Sequence, residues 1–323
     1  MAQLTLFPED RPAQAARLAP RLRALADRGI YLGTSSWKYE GWLGSIYSPE
    51  RYSTRGRVSA SRFEAACLAE YAETFPTVCG DFSFYQFPAP STWKRLFEQV
   101  PTTFQFAFKV PEEITVPAWP RHARYGNRAG HLNAAFLDAD LFDRHFLAPL
   151  ACYQDRIATL ILEFGTIARN LMATPAEFVE RLEAFLCKLP GGFRYAVEVR
   201  NPEYLFPGYF TTLTRHGTAH VLNSWTRMPS LSEQLKHPGA ITADFQVVRA
   251  LLRPGRTYEQ AVRRFSPYQS LDEPDPATRA ALVEIASHTP TTGRPSYIFV
   301  NNRLEGHAPS TIEAVAQSID HHR

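Results

Sequence analysis

The chain has 323 residues, of which 45% are hydrophobic and 21% charged, with a formal net charge of +3. This is an ordinary soluble composition that excludes a disordered or collagen-like chain, and the length suits one large α/β barrel or two mid-sized domains. The charge is too mild to prove a nucleic-acid partner. No window approaches 18 consecutive apolar residues, so no membrane partner is expected.

The first 28 residues carry Arg11, Arg17, Arg21, Arg23 and Arg28 but also Glu9, Asp10 and Asp27, without a long apolar core. They read as a flexible N-terminal arm, not a secretory signal. Residues 29–323 then read as one domain, with no internal repeat or low-complexity linker. Cys67, Cys79, Cys152 and Cys187 form no CxxC pair and no zinc spacing, as expected of reduced thiols in a cytoplasmic protein.

Eight short apolar runs follow, at 31–37, 77–85, 104–110, 159–165, 194–200, 219–225, 245–251 and 297–303. Amphipathic segments lie between most of them. One spans 61–75, with Phe63, Cys67, Leu68 and Tyr71 at helical spacing. Another opens at Thr174-Pro175-Ala176-Glu177, a capping box with proline at the first helical position, followed by Phe178, Leu182, Phe185 and Leu189. Asp275-Pro276 opens a third, and Ser310 is placed to cap the last. Strand–helix alternation repeated eight times is the pattern of an α/β fold, a single (β/α)8 TIM-type barrel.

Polar residues gather at the C-terminal ends of these strands. With a period of two, Ala196, Glu198 and Arg200 share one face of the fifth strand, and Gln105, Ala107 and Lys109 share one face of the third. Asp81, Ser83 and Tyr85 are expected on one face of the second. Glu163 ends the fourth, Asn223 to Trp225 end the sixth, Arg249 lies on the seventh, and Asn301 and Asn302 end the eighth. Barrel enzymes build their active sites at this end.

These segments resemble the YecE-like family (domain of unknown function 72), a group predicted to be TIM barrels. The resemblance rests on Gly33-Thr34-Ser35-Ser36-Trp37, Tyr71 with Phe75-Pro76-Thr77-Val78, Phe84-Tyr85 with Pro88, Phe106 with Lys109, and Ile114-Thr115. It continues through Val197-Glu198-Val199-Arg200-Asn201-Pro202, Arg249 followed by Gly255, and Phe299-Val300-Asn301-Asn302 with Gly306-His307-Ala308. It runs from the first strand to the last helix and implies the barrel, but no reaction. Cys79, Asp81 and Ser83 depart from the family's Glu-x-Asn-x-Thr pattern, and Glu163-Phe164-Gly165 replaces its Gln-Phe-Pro.

The residues point to two kinds of chemistry at the mouth. Lys109, Arg200 and Arg249 would neutralise phosphate or carboxylate, while Asp81, Glu163 and Glu198 would act as a base or hold a divalent metal. Trp37, Tyr85 and Trp225 would stack on a base or sugar, and Asn301 and Asn302 would line the site. The competing reading is a buried structural network around Glu198. None of the ten histidines ends a predicted strand and no HExxH pattern appears, which disfavours a His-rich metal site.

Two connections are basic. Residues 116–135 hold Arg121, Arg124 and Arg128 with His122, His131, Trp119 and Tyr125 and no acid, and 249–264 hold five arginines and one Glu. Such loops suit a polyanion. Gln3, Leu4, Leu6 and Phe7 stand in a peptide, Gln3-Leu4-Thr5-Leu6-Phe7, that resembles the motif tethering bacterial replication and repair proteins to the sliding clamp. The leading expectation is therefore a nucleic-acid-acting phosphodiester or abasic-site enzyme tethered to the clamp. The alternatives are an enzyme for a small phosphorylated sugar or carboxylate, and a non-catalytic nucleic-acid or clamp-binding module.

Overall fold

Each of the eight apolar runs forms a parallel strand: β1 (Ile30–Thr34), β2 (Thr77–Gly80), β3 (Gln105–Lys109), β4 (Ile157–Phe164), β5 (Tyr195–Val199), β6 (Ala219–Asn223), β7 (Gln246–Ala250) and β8 (Ser296–Val300). Every strand pairs with its sequence neighbours and β8 returns to β1, closing a barrel. The computed structural model describes residues 11–321. Around the barrel run α1 (Ala13–Ala26), α2 (Ala60–Thr74), α3 (Pro90–Glu98), α4 (Pro175–Leu186), α5 (Pro207–Arg215), α6 (Tyr258–Phe265), α7 (Pro276–Thr292) and α8 (Ala308–His321).

Period-two alternation divides the core. Phe104, Phe106 and Phe108 face outward and pack with Trp93 and Phe97 of α3. The inward set is smaller and layered: Tyr31 stacks on Tyr297 at 4.9 Å near the base, and Cys79, Ala107, Ile161, Ala196, Val221, Val247 and Phe299 fill the middle. Burial pushes the Cys79 thiol up to about 12, so it is an inert packing group.

Helix starts follow the capping chemistry. Thr174 Oγ1 accepts from Glu177 N at 3.1 Å with Pro175 in the first turn, although the Glu177 carboxylate reaches back to Ala173 N instead of closing the expected box. Asp275 caps α7 through Thr278 N. Ser310 sits inside the first turn of α8, where its Oγ meets His307 Nδ1 at 2.8 Å, so it is not the expected cap.

Half of the stretch expected to be a flexible arm is helix. Residues 13–26 form α1, which buries Ala15, Leu18, Leu22 and Leu25 against the barrel. Apolar spacing of three and four residues outweighs the arginines that made this stretch look solvated. Gln3, Leu4, Leu6 and Phe7 lie outside the described residues.

The seam between β1 and β2 is the thinnest, with one paired position, Thr34 with Val78. Tyr71 of α2 holds it: its hydroxyl donates to Thr77 O at 3.0 Å, accepts from Thr34 N at 3.1 Å and meets Thr34 Oγ1 at 2.8 Å. Gly33 is required here, because a Cβ would lie 2.2 Å from the Thr77 carbonyl oxygen. Tyr71→Phe should strand buried backbone groups and cost on the order of 2–3 kcal/mol in urea unfolding. A loss below about 1 kcal/mol would mean that the hydroxyl does not bind the seam.

Candidate active site

The top inward layer of the barrel is ionic. Lys109 ends β3, Glu163 lies near the end of β4, Glu198 near the end of β5 and Arg249 on β7, while Arg200 and Asp81 follow β5 and β2. The Lys109 ammonium donates to Glu163 Oε2 at 2.9 Å and stands 3.7 Å from Asp81. Arg200 reaches Glu163 Oε1 at 2.9 Å and, through Nε, Glu198 Oε1 at 3.1 Å. Arg249 donates to Glu163 Oε2 at 2.5 Å and also to Glu198 Oε2, and lies 3.8 Å from Asp81. Three cations thus face three carboxylates across the mouth.

These groups are desolvated, which sets their electrostatics. Burial alone would raise the Glu163 carboxyl, but Arg200, Lys109 and Arg249 together overcome it and hold the group well below the usual carboxylate range. Burial would lower the Arg249 guanidinium, and Glu198 with Glu163 reverse this and push it well above its ordinary value. The Ala107 and Ala196 methyls beneath Lys109 and Glu198 leave room for the long side chains to meet. Phe84 lies under the Lys109 ammonium at 3.8 Å, and the Trp225 ring is 3.7 Å from the Arg200 guanidinium.

Asp81 is the loosest member. Its side chain is 35% exposed, against 0% for Glu198 and 6% for Glu163. Its Oδ1 takes no hydrogen bond, and neither do three other buried atoms in this region: Ser35 Oγ, Asn223 Oδ1 and Arg249 Nε. Alternation turns Ser35 and Asn223 toward the interior with Gly33 and Val221.

Several expected positions change. β2 ends at Gly80, so Asp81, Ser83 and Tyr85 do not share a strand face. Residues 82–84 form a tight turn because Phe82 packs into Trp93 and Phe108, and Ser83 Oγ is spent donating to Lys109 O at 2.7 Å. Tyr85 is left 58% exposed at the rim, beside the Arg124 guanidinium. Trp37 does not stack over the mouth. It is buried edge-on against Phe82 and lines a cavity of about 430 Å³ between α2 and α3.

Asn302 is structural: its Oδ1 accepts from Ala308 N at 2.8 Å and from Trp42 Nε1 at 3.3 Å. Asn301 Oδ1 accepts from Arg303 N at 3.0 Å, capping the short helix Asn302–Glu305. Arg249 and Glu198 are buried too deeply to meet a ligand unaided, and serve as the floor.

A divalent metal does not fit the carboxylates well. Both oxygens of Glu163 and both of Glu198 are already committed to cations. Among the described residues no cluster of three or more His, Cys, Asp or Glu could hold a metal.

The basic loops are also compensated. Arg124 pairs with Glu112 at 2.8 Å and Arg128 with Glu113 at 3.5 Å. Arg253 and Arg256 pair with Glu273, and Arg264 with Asp272 and Glu273. The acids that pair with them, Glu112, Glu113, Asp272 and Glu273, stand outside the two basic windows. No helix among the described residues is long and apolar enough to cross a membrane.

Comparison with known proteins places this geometry in a lineage. Residues 31–323 match the family described as "Protein of unknown function DUF72". The UPF0759 protein YecE of Escherichia coli K12 is 28% identical over 183 residues, 55% of this chain and 51% of that protein, so the match spans about half of the relative's length. The crystal structure of a DUF72 family protein from Thermotoga maritima MSB8 superposes with a TM-score of 0.62 at 21% identity, covering 90% of this chain and 99% of that one. One from Enterococcus faecalis V583 gives 0.57 at 16% identity, covering 90% and 95%. At these identities the two structures support the fold alone.

Proposed function

Because the chain belongs to the DUF72 family, whose description records no activity, we propose a function from the mouth itself: acid–base chemistry on a small anionic substrate of the phosphorylated-sugar or carboxylate class. The observation that carries this reading is the contrast within the network. Glu163, Glu198 and Arg249 are tied and buried, while Asp81 is partly exposed and its Oδ1 makes no hydrogen bond, standing 3.7 Å from Lys109 and 3.8 Å from Arg249. A carboxylate left loose at the edge of a rigid charged floor is poised to take a proton from a bound ligand.

In this reading Asp81 is the general base. Lys109 stands where negative charge would develop, and Arg200, braced on Trp225, grips the substrate's anionic group. Glu163, Glu198 and Arg249 are positioning residues that hold Lys109 and Arg200. The test is a thermal-shift screen of small phosphorylated sugars and carboxylates. A true ligand at a hundredfold excess over its Kd should stabilise the protein by about 2.7 kcal/mol. Lys109→Met should abolish that gain, whereas Asp81→Asn should keep binding and remove turnover. A ligand that still binds Lys109→Met with full affinity would place the site elsewhere.

A second reading takes a nucleic acid as ligand. It is favoured by the exposed Tyr85 beside Arg124 and by Arg128 stacked on Trp119 at 4.1 Å. It retains the phosphodiester or abasic-site chemistry read from the sequence, with the Gln3–Phe7 peptide as a sliding-clamp tether. Its signature is DNA binding with a steep salt dependence, and capture of the clamp that Leu6→Ala with Phe7→Ala abolishes.

A further inference from the structure

The ionic network occupies the β2–β7 side of the mouth and leaves the β8–β1 side without it. There the principal charge is Arg303, at the start of the short helix that follows β8. The arginines of the network and those paired in the two basic loops all meet carboxylates. Among the described residues Arg303 has no carboxylate within 4.0 Å. Its Nε is buried and takes no hydrogen-bond partner.

Aromatic groups hold this guanidinium. It lies 4.5 Å from the centre of the Tyr258 ring, and Tyr268 packs edge-on against Tyr39 at 5.6 Å. Burial raises the Tyr39 hydroxyl well above its ordinary value, while Arg303 opposes this and Asp81 adds to it. The Tyr268 hydroxyl is likewise raised by burial and drawn back by Arg303. Ser35 Oγ, buried and unpartnered, follows the neighbouring strand β1.

We propose that Arg303, with the hydroxyls of Tyr39 and Tyr268 and Ser35 Oγ, forms a second anion subsite that binds a carboxylate or phosphate group of the ligand and directs its reactive end toward Asp81. The inference rests on the reading of the mouth as a small-anion site. A half-buried guanidinium without a carboxylate carries uncompensated charge, and its planar fork suits the two oxygens of an oxyanion. The hydroxyls supply the remaining donors, and Asp81 stands 3.7 Å from Lys109.

The test titrates inorganic phosphate and, separately, acetate into the full-length protein, read by thermal shift and calorimetry. Wild type should bind at least one of them, and the stronger of the two names the group. Arg303→Met should weaken that binding roughly tenfold or more, the loss of a charge-assisted contact, and Arg303→Lys should recover part of it. Lys109→Met should weaken it less than Arg303→Met does, because the subsite lies outside the network. If Arg303→Met keeps full affinity while Lys109→Met loses it, the subsite is overturned and the mouth reading stands. If neither anion binds wild type at millimolar concentration, the subsite is likewise overturned. Should Arg303→Met fail to fold, the wild-type Arg303 Nε–H resonance, assigned with Arg303→Lys, decides: it must move on titration, and an unmoved signal overturns the subsite.

Discussion

Glu198→Gln should destabilise the protein by about 3–5 kcal/mol, the cost of breaking a buried ion pair from one side. Glu198 is fully buried and accepts from both Arg200 and Arg249. Glutamine keeps its shape but turns two acceptor oxygens into one acceptor and one donor, and leaves the floor with an excess positive charge. Adding Arg249→Met to Glu198→Gln restores the charge balance with an apolar stem. The double variant should therefore cost less than the sum of the singles, by an interaction term within about 0.5–3 kcal/mol. Urea unfolding of the four proteins at neutral pH measures the cycle. Additive losses, or a single-site loss under about 1 kcal/mol, would mean that the cluster does not act as a unit. The result also bears on function, because a floor this costly to disturb is what would keep Lys109 and Arg200 in place for a ligand.

The strands of this barrel were legible because their period is short and their faces differ. Ala196-Val197-Glu198-Val199 alternates cleanly, and so does Gln105-Phe106-Ala107-Phe108-Lys109. This is why Glu198 and Lys109 could be aimed at one another from positions far apart in the chain. What failed was the end of each strand. Tyr85 and Trp37 continue the alternation on paper, but β2 ends at Gly80 and β1 at Thr34, and the turns that follow leave Tyr85 exposed at the rim and bury Trp37 against Phe82. Charge was misread for a similar reason. Arg124 and Arg128 look free within their own loop, and their partners Glu112 and Glu113 sit 12 and 15 residues upstream. In α1, Arg17, Arg21 and Arg23 masked a buried stripe of Ala15, Leu18, Leu22 and Leu25. Arg303 closes the eighth apolar run and so could be placed near the mouth from sequence, but what distinguishes it is the lack of a nearby carboxylate, visible only in three dimensions.

Acid should weaken the fold well before the Glu163 carboxylate is protonated. Two histidines are buried in the neutral state. His220, on the outward face of β6, has Nδ1 3.0 Å from the Tyr209 hydroxyl and its backbone N–H on Thr242 Oγ1, and burial lowers its pKa to about 3. His307, at the start of α8, is lowered by burial to about 4. In the unfolded chain both return to about 6.5. Between these values the unfolded state binds more protons than the folded one, so stability is complete above about pH 6.5 and falls as pH drops toward the folded pKa values. At pH 5 the linkage relation gives a loss of about 2 kcal/mol for each residue, about 4 kcal/mol together. Glu163 contributes in a different window: its folded pKa is depressed, so its stabilisation is present above about pH 4.3 and is lost only below that. Urea unfolding at pH 8, 6.5 and 5 should show the histidine loss as a falling midpoint at constant slope. His220→Asn, which keeps a polar partner for Tyr209 but cannot charge, should remove about half of the pH dependence whatever it does to stability at pH 8. A stability that stays flat from pH 8 to 5 would show that neither imidazole is held neutral by the fold.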